Sequence, residues 1–170
     1  MRSNPAVGRF LRPLDEAPVQ AYVTDLLQTT DIIEWVIGQI GESDILQTTF
    51  SISEEYLRRL FTIRENGLIR SLDLILDFKA TNKTVDLWIF LERVADRAYL
   101  ADNHSKVILF RSTSGRSVAV ITSQNLTRGN RNESAVVIES ADIYDTVYKQ
   151  IQDIIKSKSI PLNEILSRSD

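Results

Sequence analysis

The sequence predicts an α/β domain with a mixed, mostly parallel central sheet and helices on both faces. Three observations predict this class. Helical and strand-like segments alternate along the first part of the domain, which favours parallel strands joined by crossover helices. The strand-like segments are rich in β-branched and apolar residues, and a turn at Gly115 indicates a hairpin. The chain has 170 residues, enough for one domain with a buried core, and contains no internal repeat.

The first half of the domain alternates between helical and strand-like periodicity. Apolar residues recur every three or four positions in the helical segments and at every second position in the longest strand. Ser51 and Glu54 form a capping-box signature that predicts the start of the second helix. In chain order, the elements are a helix over 31–40, a strand over 44–51, a helix from 51 to about 64 and a strand over 69–78.

The second half is rich in strands and closes with a helix. Its elements are a helix over about 83–95, strands over 98–100, 106–110, 117–122 and 133–139, and an amphipathic helix over 143–155. Residues 1–30 are expected to form an N-terminal arm or lead-in, because their beginning is rich in Pro, Gly and Arg and lacks periodicity. The domain then covers residues 31–158, and residues 159–170 form a C-terminal tail.

Composition narrows the functional classes. The chain has no cysteine and one histidine, His104, which excludes disulfides and argues against a zinc site, so we expect no cofactor. No apolar run approaches the ~20 residues that span a bilayer, and the start of the chain lacks the apolar core of a secretory signal. We therefore expect a cytoplasmic protein that does not bind membranes.

The charge distribution is uneven. The net charge of −3 argues against a generic nucleic-acid coat protein, but residues 103–132 contain no Asp or Glu. This segment predicts a local positive field that attracts phosphate groups. Its five cations are Lys106, Arg111, Arg116, Arg128 and Arg131.

Polar side chains cluster at three predicted strand termini. His104 and Lys106 lie two residues apart at the start of a strand, so alternation places them on one face. Ser123 and Asn125 follow the next strand, and Glu133 begins a further one. Five groups that suit phosphate chemistry are thus predicted to share one small volume.

The segments that carry these residues resemble the phospholipase D superfamily, and most closely its small single-motif bacterial nucleases. The matching blocks are residues 104–110, 122–127 and 132–138. The resemblance implies a phospholipase D-like domain and a metal-independent phosphodiesterase, most similar to a nuclease. Nucleic acid is the expected partner, with DNA favoured over RNA.

The resemblance also implies roles for the five groups. His104 forms a covalent phosphohistidine, while Lys106, Asn125 and Ser123 hold the phosphate oxygens. Glu133 accepts the Nδ1 hydrogen of a His104 ring and fixes its tautomer. Because this chemistry needs two imidazoles and the chain has one, we expect a homodimer that shares its active site.

Two positions depart from the family pattern. Arg111 stands where the motif usually carries an aspartate, and Thr122 replaces a glycine. These departures keep an alternative open, a catalytically impaired module that binds nucleic acid or phosphate. A further alternative is a DNA-recognition subunit or a nuclease domain that acts beside a separate partner protein.

Overall fold

An eight-stranded sheet forms the centre of the protein in the computed structural model, which describes residues 4–80, 87–127 and 131–166. The strands are β1 (Val19–Thr24), β2 (Ser43–Thr49), β3 (Ile69–Asp77), β4 (Arg97–Ala101), β5 (Val107–Ser112), β6 (Ser117–Thr122), β7 (Glu133–Glu139) and β8 (Ser159–Pro161). The helices are α1 (Val7–Phe10), α2 (Thr29–Ile40), α3 (Glu54–Glu65), α4 (Trp88–Val94), α5 (Ala141–Lys158) and α6 (Leu162–Leu166). The strand order across the sheet is β1-β7-β6-β5-β2-β3-β4-β8.

The sheet is mixed, but the prediction that it is mostly parallel is wrong. Of the seven strand pairings in the described chain, five are antiparallel, and only β2–β3 and β3–β4 are parallel. Parallel pairing needs a crossover, and α3 and α4 lie in the connections after β2 and β3. β5 and β6 instead form a hairpin around Gly115, whose φ of 87° favours glycine. β1 and β8 add an antiparallel strand at each edge.

Several predicted elements agree closely with the structure. The bounds of β6 and β7 are those predicted, and α2, β2 and β3 differ from their predicted bounds by only one or two residues. The predicted helix over about 83–95 agrees with α4 from residue 88 to residue 94, while residues 83–86 lie outside the described residues.

The predicted capping box at Ser51 is wrong. Helix α3 is capped by Ser53, whose Oγ accepts a hydrogen bond from the Tyr56 backbone N–H at 3.3 Å. The backbone of Ser51 has another role, because its carbonyl accepts a hydrogen bond from the Leu126 N–H at 3.1 Å. This bond ties the segment after β2 to the loop after β6.

Both ends of the chain contribute more structure than expected. The predicted N-terminal arm contains α1 and the edge strand β1, and Leu11, Leu14 and Leu27 are buried in the core. The predicted C-terminal tail contains β8 and α6, and residues 167–170 lie outside the described residues. The folded unit therefore begins well before residue 31.

The sheet separates two hydrophobic layers. The larger layer packs against five of the helices and includes Ile33, Leu57, Leu60, Leu91 and Leu162. The smaller layer lies under α5 and includes Leu46, Ile75, Leu109, Tyr144 and Ile151. Neighbouring residues of a strand alternate between the two layers, so both faces of the sheet present apolar side chains. Helices cover both faces, as predicted. No helix in the described part of the chain has the length and apolar character needed to cross a membrane.

Candidate active site

One end of the sheet gathers most of the candidate residues, and we call it the site end. β5, β7 and β8 begin there, and β1, β2, β3, β4 and β6 end there. The strand termini at the site end are Thr24, Glu133, Thr122, Val107, Thr49, Asp77, Ala101 and Ser159. The loops that extend beyond these termini carry the polar side chains predicted to act on phosphate.

His104 and Lys106 lie in the loop that leads into β5. The Lys106 ammonium donates to the His104 backbone carbonyl at 2.7 Å and lies 3.4 Å from the His104 Nδ1. Since an ammonium only donates, this contact uses Nδ1 as an acceptor, so the neutral ring carries its proton on Nε2. The His104 ring is exposed and therefore accessible to a ligand.

Ser123 and Glu133 meet at the site end. The Ser123 hydroxyl donates to the Glu133 carboxylate and accepts from the Ser134 backbone N–H at 3.0 Å. The Ser123 backbone N–H donates to the Ser134 carbonyl at 3.0 Å, which fixes the start of the loop after β6. Within the described chain, Glu133 does not contact the Nδ1 of His104, so the expected tautomer-fixing contact is not made inside one subunit.

Asn125 lies further along the same loop. Its Oδ1 atom is buried and has no hydrogen-bond partner among the described residues. An unpaired buried acceptor costs about 1–3 kcal/mol until a donor pairs with it, so a contact from Asn125 to a phosphate oxygen would have to come from its Nδ2 donor. The next residue anchors the loop, because Leu126 N–H donates to the Ser51 carbonyl and Ser53 N–H donates to the Leu126 carbonyl at 2.9 Å.

Gln124 anchors the loop from the other side. Its side chain is buried, accepts a hydrogen bond from the Thr29 hydroxyl at 2.9 Å and donates to the Gln28 side chain at 3.2 Å. Both partners lie at the start of α2, so this helix end fixes the residue between Ser123 and Asn125. The sequence did not reveal this role, since both partners are more than ninety residues away.

Asn103 fixes the loop that carries His104. The Asn103 side chain is buried, donates to the Thr49 carbonyl at 3.2 Å and accepts from the Ser105 hydroxyl at 2.6 Å. Its backbone N–H donates to the Asp77 carboxylate at 2.9 Å. The ends of β2 and β3 thereby hold the residue that precedes the only histidine.

Phe50 completes the surroundings of His104. Its ring centroid lies 5.2 Å from that of His104, with the planes tilted by 58°. The Lys106 ammonium lies 5.9 Å from the centroid of the Phe50 ring. Phe50 directly follows β2, which neighbours β5, so the antiparallel register brings it beside the His104 loop.

Arg111 and Arg116 lie at the opposite end of the sheet. Arg111 is five residues beyond Lys106, which at about 3.4 Å per residue is roughly 17 Å along the strand. Its guanidinium donates to Asp145 at 2.5 Å and lies 4.2 Å from the Tyr144 ring. The unusual arginine at the motif position is therefore accommodated by α5.

Arg116 is also paired away from the site end. It donates to Glu139 at 2.6 and 2.8 Å and to Asp15 at 2.9 Å. The hydrogen bonds from Arg116 hold the pKa of Glu139 below its ordinary value, although partial burial opposes the shift. The structure thus does not bring Arg111 or Arg116 to the predicted phosphate site.

Of the two remaining predicted cations, one lies within the described residues and one does not. Arg131 is exposed and lies two residues before Glu133, near the site end. Arg128 lies outside the described residues. In the described ranges, no group of three or more His, Cys, Asp or Glu side chains is placed to hold a metal ion. The cation in contact with His104 is Lys106.

A buried tyrosine lies near the Glu133 carboxylate. Burial, followed by the charges of Asp31 and Glu133, raises the pKa of Tyr22 above its ordinary value. The Tyr22 hydroxyl therefore stays neutral, and no second negative charge forms beside Glu133.

Thr122, the second departure from the family pattern, turns its hydroxyl toward the backbone. The hydroxyl donates to the Ser134 carbonyl at 2.9 Å and accepts from the Gln124 N–H at 3.1 Å. The side chain that replaces the usual glycine thus forms part of the loop's own hydrogen bonding.

Comparison with solved structures identifies the fold. Nuc, a phospholipase D family member from Salmonella typhimurium, matches with a TM-score of 0.62 and 15% identity over 82% of this chain and 95% of that chain. NucT from Helicobacter pylori matches with a TM-score of 0.59 and 13% identity over 82% of this chain and 96% of that chain. The protein therefore has the phospholipase D superfamily fold, and the resemblance seen in the sequence is confirmed at this level.

A third similar structure differs in length. TrmBL2, an archaeal chromatin protein described as having a novel mode of DNA binding, matches with a TM-score of 0.59 and 8% identity. The match covers 90% of this chain and 57% of TrmBL2. No protein-family model and no curated protein sequence matches this chain.

Proposed function

We propose that this protein is a metal-independent phosphodiesterase, a nuclease whose active site is shared by two copies of the chain. The observation that carries the proposal is the convergence at the site end, where an imidazole, an ammonium, a hydroxyl, an amide and a carboxylate extend from loops at β5, β6 and β7. Each of these groups has a role in phosphoryl transfer. The shared fold with a phospholipase D family member supports the same reaction class.

The proposed first step is nucleophilic. A nitrogen of His104 attacks phosphorus, and the new N–P bond forms as the P–O bond to the leaving oxygen breaks. The partner's His104 gives that oxygen its proton. One half of the diester leaves as an alcohol, and the other half stays on His104 as a phosphohistidine.

The proposed second step is hydrolysis. The partner's His104 takes a proton from water, and the water oxygen bonds to phosphorus as the N–P bond breaks. A phosphomonoester leaves, and both imidazoles return to their starting states. Lys106, Asn125 and Ser123 hold the non-bridging oxygens through both steps and stabilise their added negative charge.

The contact between Lys106 and His104 indicates how substrate prepares the site. Attack by Nε2 requires the ring proton on Nδ1, but the Lys106 ammonium lies near that atom at 3.4 Å. A bound phosphate attracts this ammonium, which frees Nδ1 to carry the proton. In this proposal, the Glu133 carboxylate accepts a hydrogen bond from the protonated Nδ1 of one of the two His104 rings.

An exposed apolar surface supports the dimer. Val19 and Val23 on β1, Ile121 on β6 and Val136 on β7 are 63%, 69%, 44% and 38% exposed. We call these four residues the apolar face. Strand register places them on the side of the sheet that carries α5. Ile121 lies two residues before Ser123, and Val23 pairs with Ser134, the residue after Glu133. A second copy that covers the apolar face therefore lies beside the site end.

Nucleic acid is the proposed substrate. Lys106 and the exposed Arg131 give the site end positive charge, which suits a polyanionic backbone. The similar fold of TrmBL2, a chromatin protein described as binding DNA, favours DNA as the ligand.

That same similarity supports a second candidate, a module that binds DNA without cutting it. Arg111 and Thr122, the two departures from the family pattern, favour this alternative. Both are accommodated by hydrogen bonds, Arg111 with Asp145 and Thr122 with the backbone of the loop. Neither side chain needs to enter the phosphate site, so we place catalysis first.

Cleavage in excess chelator separates the two candidates. Plasmid and single-stranded DNA are incubated in EDTA with native protein and with His104→Ala, and the native solution mass is measured in parallel. We expect the native dimer to cut and His104→Ala to bind without cutting. Because His104 is exposed, the substitution should change stability by less than about 0.5 kcal/mol. Binding without cleavage by both proteins would favour the non-catalytic module, and a fully active monomer would contradict the shared site.

A further inference from the structure

Phe50 is an aromatic residue that does not belong to the hydrophobic core. It is partly exposed and, among the described residues, packs in neither of the two hydrophobic clusters. Its ring lies beside two groups that the proposed reaction uses directly: its centroid is 5.2 Å from that of the His104 ring and 5.9 Å from the Lys106 ammonium. A large apolar ring is thus kept near solvent at the centre of a polar site.

The chemistry of a phenyl ring limits what Phe50 can do there. It cannot transfer a proton, hold a metal or donate a hydrogen bond to phosphate. It offers a flat apolar surface, on which another planar ring can stack. In a nucleic acid, the planar groups nearest to a phosphate are the bases of the two nucleotides that it joins.

We propose that Phe50 is a stacking platform for the nucleobase next to the phosphate on His104, and that the substrate is single-stranded nucleic acid. This inference rests on the proposed function and defines its substrate more closely. Stacking on an aromatic side chain tolerates any base sequence, because every base has a π face. In the dimer, the partner's Phe50 would meet the nucleotide on the other side of the scissile phosphate.

The preference for single strands follows from base pairing. In a duplex, each base is already stacked and paired, so it must be extruded before it can reach the ring. An unpaired strand presents its bases without that cost. Lys106 adds a non-specific contact to the backbone, so the base contact at Phe50 distinguishes nucleic acid from a base-free phosphodiester.

A role confined to orienting His104 makes a different prediction. A residue that only positions the imidazole affects every diester equally, whether or not the diester carries bases. A stacking platform affects only ligands that have bases. Two ligands with the same backbone therefore separate the two roles.

The test measures binding in an inactive background, so that its outcome does not depend on cleavage. His104→Asn is combined with Phe50→Leu or with Phe50→Trp, and fluorescence anisotropy in EDTA follows two labelled ligands. One ligand is a single-stranded oligothymidylate, and the other is an abasic strand of the same length. Binding of the duplex of the same sequence is measured in parallel.

We expect Phe50→Leu to weaken oligothymidylate binding about tenfold and to leave abasic binding unchanged, while Phe50→Trp keeps or tightens the preference for bases. We also expect the duplex to bind less tightly than the single strand through this contact. Equal binding of both single strands by the His104→Asn protein, or an equal effect of Phe50→Leu on both, would overturn the proposal. If Phe50→Leu does not fold, a Phe50→Trp protein that binds both single strands equally would overturn it as well.

The proposed function is tested separately by chelator-resistant cleavage. Base-dependent binding without cleavage would preserve the platform and reject the enzyme. Cleavage by the native protein with no base dependence at Phe50 would preserve the enzyme and reject the platform.

Discussion

Replacement of Asn103 by alanine tests whether the His104 loop is held by its hydrogen bonds. The Asn103 side chain donates to the carbonyls of Thr49 and Ser105 at 3.2 and 3.3 Å, and it accepts from the N–H and hydroxyl of Ser105 at 3.3 and 2.6 Å. Each such bond contributes about 0.5–1.5 kcal/mol, and three of the four are long. We therefore expect Asn103→Ala to lower the free energy of unfolding by about 2–3 kcal/mol.

The same substitution should reduce activity more than stability alone explains. Residue 104 follows directly, and a displacement of about 1 Å at a reacting group can reduce the rate roughly 100-fold. Urea unfolding gives the stability, and cleavage kinetics in EDTA give kcat on protein that remains folded. Asn163→Ala, at an exposed position on α6, serves as the matched control and should change stability by less than about 0.5 kcal/mol. An Asn103→Ala protein as stable and as active as this control would refute the reasoning.

Three further substitutions test other parts of the account. Val23→Glu places a charge on the apolar face, so we expect light scattering to show a monomer and the cleavage assay to show little activity. Arg111→Asp introduces the residue that is usual in the motif which the sequence resembles, but it places a carboxylate opposite that of Asp145. We therefore expect urea unfolding to show a free energy of unfolding that is lower by about 1 kcal/mol and not higher. The lowered pKa of Glu139 means that its pairing with Arg116 stabilises the fold above the unfolded-state pKa and is lost as pH falls through the folded-state pKa. We therefore expect the difference in unfolding free energy between neutral pH and about pH 3 to be smaller for Arg116→Met than for the native protein. An unchanged difference would contradict the stabilising effect of this ion pair at neutral pH.

Strand β1 shows where the sequence pattern misleads. Val19 and Val23 are exposed in β1, while Tyr22 and Thr24 are buried. The two apolar valines thus face outward, and they follow a segment with several prolines that suggests an irregular lead-in. β1 forms because it pairs with β7, more than one hundred residues further along the chain. Nothing local to the segment encodes that partner.

The placement of the candidate residues at one end of the sheet was predictable to the extent that they lie at strand ends. His104, Lys106, Ser123 and Glu133 lie at the ends of neighbouring antiparallel strands, so their proximity follows from the hairpin and from the next strand along the chain. Gln124 could not be found in this way. It acts through residues at the start of α2, which tertiary folding alone brings near.

The sequence showed that this segment is positively charged as a whole, but it did not show where the individual cations lie in the structure. The acid-free segment does contain Lys106, which contacts His104 at the site end. Strand geometry carries Arg111 and Arg116 to the opposite end, where carboxylates from other parts of the chain pair with them. A local excess of positive charge along the sequence therefore does not predict a local excess in space.

The central claim is that two His104 side chains, one from each subunit, act on one phosphodiester. Native and His104→Asn subunits, refolded together in known ratios, give the most direct test when cleavage is followed in EDTA. If each active site needs both imidazoles, activity follows the square of the native fraction, so an equal mixture retains about one quarter of the native activity. A linear decline to about one half would contradict the shared site, and an absence of chelator-resistant cleavage in the native protein would contradict the enzyme itself.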